Sequence, residues 1–208
     1  MIKISRDFQR THENLLTCAK QHFLLFGFER ASIREICKEA SVTNGAFYNH
    51  FADKEALFGA LVEPVIQTVS QIYSDSVDKH FDLIKTEELT TLWQLTEATI
   101  AQIIDYIYEN FDVFKLLLMH SDGTQYATFL DDVVRLDVEQ TKRLIAELKD
   151  RGVPVNDLDD DEWHMLVHAY YASLAEIVLH NYTKDAALQY AHTLAAFFSS
   201  GWQTVLGI

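Results

Sequence analysis

The sequence predicts an all-α protein in which a small helical domain is followed by a larger helical one. Three observations predict this. Apolar residues recur at three- and four-residue spacing along most of the 208-residue chain, the period of a helix with one buried face. Glycine and proline number 7 and 2, too few for a protein of many strands and tight turns. Hydrophobic residues make up 49%, enough for a sizeable core.

The first helix is expected from about Arg6 to Phe26, with Phe8, Leu15, Leu16, Ala19, Phe23 and Phe26 repeating along it. Gly27 follows as a terminator, and Phe28 can fold back on the last turn. Ser32-Ile33-Arg34-Glu35 has the form of a capping box and opens a short helix to about Ala40. Ser41 and Val42 turn the chain, with Val42 inward. Thr43 then caps a third helix through Asn44, Gly45, Ala46, Phe47, Tyr48, Asn49 and His50. Phe51 closes the unit. Asp53 caps a fourth helix from Lys54 to about His80, bent near Pro64.

Further helices are expected over 86–110, 111–120 and 124–151, with a break at Ser121-Asp122-Gly123 before the last of these. A loop at 152–156 and an acidic cap at 157–161 precede a helix from about Asp160 to Tyr182. Thr183 caps the last helix, which ends near Leu206. These final two helices mix small residues (Ala169, Ala172, Ala175, Ala191, Ala195) with large ones (Leu174, Phe197, Phe198, Trp202). Small residues let helices approach closely, and the apolar positions occupy more than one face.

Charge and cysteine usage narrow the function. The net charge is −14, yet residues 1–60 hold 8 Lys and Arg against 7 Asp and Glu, leaving the acid to the rest of the chain. That asymmetry suits a nucleic-acid-reading end on a body that nucleic acid repels. Cys18 and Cys37 lack metal-ligand or CxxC spacing and read as small buried apolar residues. No apolar run reaches the roughly 18 residues of a membrane span, and the N-terminus lacks the layout of a secretory signal. No membrane association and a cytoplasmic location are therefore expected.

Two short helices joined by a tight turn behind a longer one form a helix-turn-helix unit, whose second short helix enters the major groove. Its leading residues, Thr43, Asn44, Gly45 and Ala46, are small or polar, and around them Tyr48, His50 and Lys54 suit phosphate. The stretch from Ser32 to Leu57 resembles the DNA-binding signature of the TetR (tetracycline repressor-like) family: a Ser–Ile start, Gly45-x-Phe47-Tyr48-x-His50-Phe51, and Lys54-Glu55-x-Leu57. The resemblance covers about residues 8–60. Ser41 departs from it where the family has Gly, at about 1 kcal/mol if the left-handed conformation is kept. Cys37 departs where Ala is usual.

The resemblance implies an N-terminal DNA-binding domain, 1–53, and a ligand-binding and dimerisation domain, 54–208. It implies DNA contacts from Ser32, Arg34, Thr43, Asn44, Gly45, Ala46, Tyr48, Asn49, His50 and Lys54. It further implies a palindromic double-stranded operator, a homodimer through the last two helices, and a small-molecule effector of unnamed chemistry that releases a repressor. Trp93, Phe114, His120, Phe129, His168 and Tyr171 are the expected ligand-binding residues, and no cofactor or catalysis is expected. A rival reading is a helical metal-dependent enzyme using Asp161, His164 and His168, which share a helix face at metal-ligand spacing. His164 is followed by Met165, so HExxH chemistry lacks its base. A third reading is a sensor bundle without an operator.

Overall fold

The computed structural model describes residues 6–85 and 92–207, with the side chains of 85 and 92–94 left aside. The helix start expected at Thr86 lies outside the described residues. Among those residues the secondary structure is helical, without strands: α1 Arg6–Arg30, α2 Ile33–Glu39, α3 Asn44–Phe47, α4 Lys54–Lys85, α5 Leu92–Glu109, α6 Phe111–Met119, α7 Phe129–Asp150, α8 Asp160–Leu179 and α9 Lys184–Leu206.

Packing divides the chain into two compact units. Unit 1 comprises Met1–Gln67 with Asn110–Ala127, and unit 2 comprises Thr68–Glu109 with Thr128–Ile208. This cut differs from a division by function at residue 53, because the first turns of α4 and all of α6 pack with the N-terminal helices. Leu57, Phe58 and Val62 of α4 are fully buried in unit 1, as are Leu15, Ala19 and Phe23 of α1, Ile36 of α2 and Phe47 of α3. Phe58 meets the rings of Phe23 and Phe28 edge-on, at centroid distances of 5.1 and 5.5 Å. Aromatic pairs prefer that geometry to face-to-face stacking.

Several local expectations hold in unit 1. Gly27 interrupts α1 at φ 73°, and one helical turn follows before the chain leaves at Ala31. Ser41 takes the left-handed conformation, φ 56°, so the strain expected of a non-glycine residue there is present. Thr43 Oγ1 accepts the Ala46 amide at 3.1 Å, and Asp53 Oδ1 accepts the Ala56 amide at 2.7 Å. One expectation fails: Ser32 makes no side-chain cap bond, so the capping box does not form. Glu35, its intended partner, lies 3.5 Å from Lys38 instead. Cys37 is buried as expected, whereas Cys18 is only half-buried. Burial raises both thiol pKa values, with Glu39 adding to the effect at Cys18.

Unit 2 is built on two apolar clusters. Ile100, Ile104, Ile177, Ala187 and Ala191 join α5, α8 and α9. Ile84, Ile145, Leu148, Trp163 and Leu206 join α4, α7, α8 and α9, with Trp202 stacked on Trp163 at 5.5 Å. The full capping box of the protein's described residues stands here: Asp159 accepts the Glu162 amide while Glu162 accepts the Asp159 amide. The helix expected from Thr124 begins at Phe129, because 121–127 makes turns closed by Thr124 N–H to Ser121 O at 3.0 Å. Helix α8 stops at Leu179, three residues early, and Asn181 at φ 53° turns the chain towards α9.

Candidate functional site

Most of the expected DNA-reading residues are exposed in unit 1. The packing is done by Phe47 and Phe51, both buried, which leaves the intervening and preceding side chains outside. Ser32, Arg34, Thr43, Asn44, Gly45, Tyr48 and Asn49 are exposed, and Ala46 is half-buried. Tyr48 is 59% exposed, far more than a core tyrosine would be, with its ring edge against Phe47. A methyl added at Gly45 would meet nothing nearer than Thr43 Oγ1 at 4.0 Å. Packing within the chain therefore does not require glycine there; close approach of another molecule would.

Two of the expected phosphate ligands are engaged inside the protein. Lys54 Nζ donates to the carbonyls of Phe28 at 2.7 Å, Glu29 at 3.1 Å and Ala31 at 3.2 Å, and lies 4.4 Å from the centre of the Phe28 ring. An ammonium has three hydrogens, and three carbonyls take them. In the structure its charge closes the carbonyl end of α1. Partial burial lowers its pKa, with Glu29 opposing. His50 stacks on Phe8 at 4.0 Å, and its Nδ1 is buried without a partner among the described residues. Burial, then the nearby His12, lowers its pKa. His50 thus packs, and His12, stacked on Phe51 at 4.7 Å, belongs to the same wall.

The expected ligand-binding residues are not one constellation. Phe114 and His120 belong to unit 1, where Phe114 is core and the His120 carbonyl accepts the Phe28 amide at 3.0 Å. Burial and then Lys115 lower the His120 pKa, with Asp122 opposing. Phe129, His168 and Tyr171 are half-buried in unit 2. Trp93 lies on α5, its side chain outside the described ones. None of the six lines the shallow surface depression formed by Tyr182, Ala186, Gln189, Tyr190 and Thr193.

Tyr171 leads to a cluster that helical spacing did not reveal. Its hydroxyl donates to the carboxylate of Asp137 on α7, and Tyr73 of α4 donates to Asp137 Oδ1 at 2.6 Å. Tyr170 stands beside them, its ring edge-on to Tyr171 at 5.4 Å and to Phe198 at 5.0 Å. The Tyr170 hydroxyl is buried without a partner among the described residues. Burial raises the Asp137 pKa, while bonds from Tyr73 and Tyr171 and the charge of His80 pull the other way. Burial likewise raises Tyr170 well above its usual range, Asp137 adding to it.

The metal reading gains no geometric support. Asp161 and His164 are exposed, the His164 and His168 rings lie 5.9 Å apart, and no described group of three metal-ligating side chains converges.

Comparison with known proteins fits the N-terminal geometry. Residues 15–61 match the family model of bacterial regulatory proteins, tetR family. The transposon Tn10 TetC protein of Escherichia coli is 30% identical over 104 residues, 50% of this chain and 48% of that protein. The A-factor receptor protein of Streptomyces griseus is 42% identical over 69 residues, 33% of this chain and 25% of its own. The chain thus spans at most about half the length of these curated relatives. Among solved structures, NalD, the secondary repressor of the MexAB-OprM multidrug efflux pump in Pseudomonas aeruginosa, matches with a TM-score of 0.61 at 20% identity. That match covers 97% of this chain and 98% of NalD. The fatty acid degradation regulator FadR of Bacillus halodurans matches with a TM-score of 0.57 at 18% identity, over 88% and 96%. At such identities the shared property is the fold.

Proposed function

We propose that this chain, whose residues 15–61 match the family model of bacterial regulatory proteins, tetR family, is a ligand-responsive repressor binding a palindromic operator as a dimer. The observation that carries the reading is the exposed, small and polar face of α3, held outward by buried Phe47 and Phe51. Asn44 reads base edges, Gly45 and Ala46 permit close approach, and Tyr48, Arg34 and Ser32 contact the phosphate backbone. The DNA-binding part is 1–53 and the ligand-binding and dimerising part 54–208. Release follows when an effector favours a dimer whose recognition helices no longer match the half-site spacing. One curated relative is a receptor by name, which supports ligand response.

The dimer is supported by what a single chain leaves uncovered. Phe197 is 72% exposed, and Phe197, Gly201 and Val205 follow one another at four-residue steps on α9. Nothing lies within 4 Å of a methyl built at Gly201. Mid-helix glycine costs about 1 kcal/mol relative to alanine, a cost that close contact with a second helix offsets. Gly201→Leu is expected to leave the subunit folded by circular dichroism and to yield monomers in sedimentation. A dimer of unchanged stability would remove α9 from the interface.

Binding itself is tested by gel shift on fragments of the source genome. One or a few fragments should be retained, with affinity falling steeply as salt rises. Asn44→Ala should lose about 1–3 kcal/mol of discrimination at one base pair of each half-site. Retention of no fragment by the dimer would overturn the proposal.

A further inference from the structure

We propose that the effector is an organic amine, held as its ammonium by the Asp137 carboxylate and walled by the rings of Tyr73, Tyr170 and Tyr171. The inference rests on the ligand-responsive reading above and names the chemistry of its ligand.

The argument begins with what Asp137 lacks. Its carboxylate accepts hydrogen bonds from two phenols, which are neutral, and among the described residues it has no ion-pair partner. A carboxylate drawn out of water is stable only when paired or richly hydrogen-bonded. The nearest cationic candidate is His80, yet both its nitrogens are engaged elsewhere. Nδ1 lies 2.7 Å from the Ser76 carbonyl, and Nε2 lies 3.1 Å from Thr96 Oγ1. Ser76 Oγ in turn lies 2.8 Å from Thr99 Oγ1. This second network fixes His80 on its own partners, so it acts on Asp137 only through space.

The surroundings select among ligands. A buried hydroxyl with no partner, that of Tyr170, sits within electrostatic reach of the same carboxylate. Leaving such a group unpaired is costly, and a bound N–H donor would satisfy its oxygen. Tyr170 packs edge-on against Tyr171 and Phe198, and with Tyr73 these residues bring aromatic rings rather than further charge to the cluster. Aromatic faces attract a cation, the more so when water is excluded. An anion would be repelled by Asp137, and a neutral alcohol would leave the carboxylate unneutralised. A cationic amine with an apolar body fits on all three counts. Asp137 and the three tyrosines are each half-buried as residues, with the Tyr170 hydroxyl itself buried.

The test uses the full-length dimer and two matched series. The first is phenethylamine, 2-phenylethanol and phenylacetate; the second is tryptamine, tryptophol and indole-3-acetate. Binding is read by isothermal titration without DNA. At least one amine should bind about ten-fold or more tighter than its alcohol and its carboxylate, the return on one charge-assisted bond. Asp137→Asn should erase that preference. Tyr170→Phe removes a hydroxyl that has no partner in the free protein, so the fold should be kept while amine affinity drops about five-fold. Absence of amine binding, equal affinity for alcohol and amine, or a preference surviving Asp137→Asn each overturns the assignment. Gel shifts on the same preparations separate the two readings. Fragment retention without amine preference sinks only the effector class, and amine preference without retention sinks only the regulator.

Discussion

Unit 1 and unit 2 solve the problem of polar groups in opposite ways. In unit 1 each charge near the core is answered by neighbouring chain: Lys54 by three carbonyls at the end of α1, His22 by Glu39 at 3.0 Å, Asp53 by its own helix. The leading side chains of α3 are short, neutral and exposed, while His50 Nδ1 stays buried without a partner among the described residues. In unit 2 a carboxylate and three phenols converge from α4, α7 and α8 without a direct ion pair among the described residues, the nearby His80 acting only through space. The difference fits the roles proposed for the two units. A head that reads DNA would present one fixed surface to a large partner. A body that senses a small molecule would hold unfinished chemistry that the ligand completes.

Substitution of Lys54 should have the largest effect. Lys54→Met should cost about 1.5–3 kcal/mol or more of stability in urea unfolding, since three carbonyls lose a charged donor. Were Lys54 only a phosphate ligand, stability would hold and only the salt dependence of DNA binding would flatten.

Asp137→Asn should act in the other direction. Burial raises the folded pKa of Asp137 above its unfolded value, so the folded state holds the proton more tightly. Stability from this group is fully present below the unfolded pKa and is lost as pH rises through the folded one. The variant should therefore melt higher than wild type at pH 8, with the gap closing as pH falls towards 4. A lower melting temperature at pH 8 would mean that Asp137 is a settled structural group and that the contrast between the units is false.

The smallest effect is expected at Ser41. Replacement by glycine removes the left-handed penalty of about 1 kcal/mol and adds back part of it as chain entropy. A thermal-melt gain of under 1 kcal/mol, with DNA affinity unchanged, would sharpen the view that this turn serves the fold alone.

What could be read in advance follows the range of the interactions. The exposed face of α3 was legible because its signals lie a few residues apart: Thr43 caps α3, Phe47 and Phe51 anchor it, and Asn44 and Tyr48 are left outside. Local signals also misled. Ser32 and Glu35 have capping-box spacing, but Glu35 turned to Lys38 and the box did not close. At Lys54 the sequence shows a charge suited to phosphate and not the carbonyls folded over it. Of the ligand-binding residues expected, Tyr171 joins the Asp137 cluster, whereas Phe114 and His120 fall in unit 1.

The amino-acid order alone determined the helical class, the helix-turn-helix and the side chains turned outward on it, because helix period, caps and turns are decided within a few residues. The Lys54 clasp and the Asp137 cluster were settled by packing. Tyr73 and Asp137 stand 64 positions apart, and no propensity or spacing rule reaches that far. Their meeting is a product of which helix faces had to be buried together, a sum over many weak contacts that no single stretch of chain encodes.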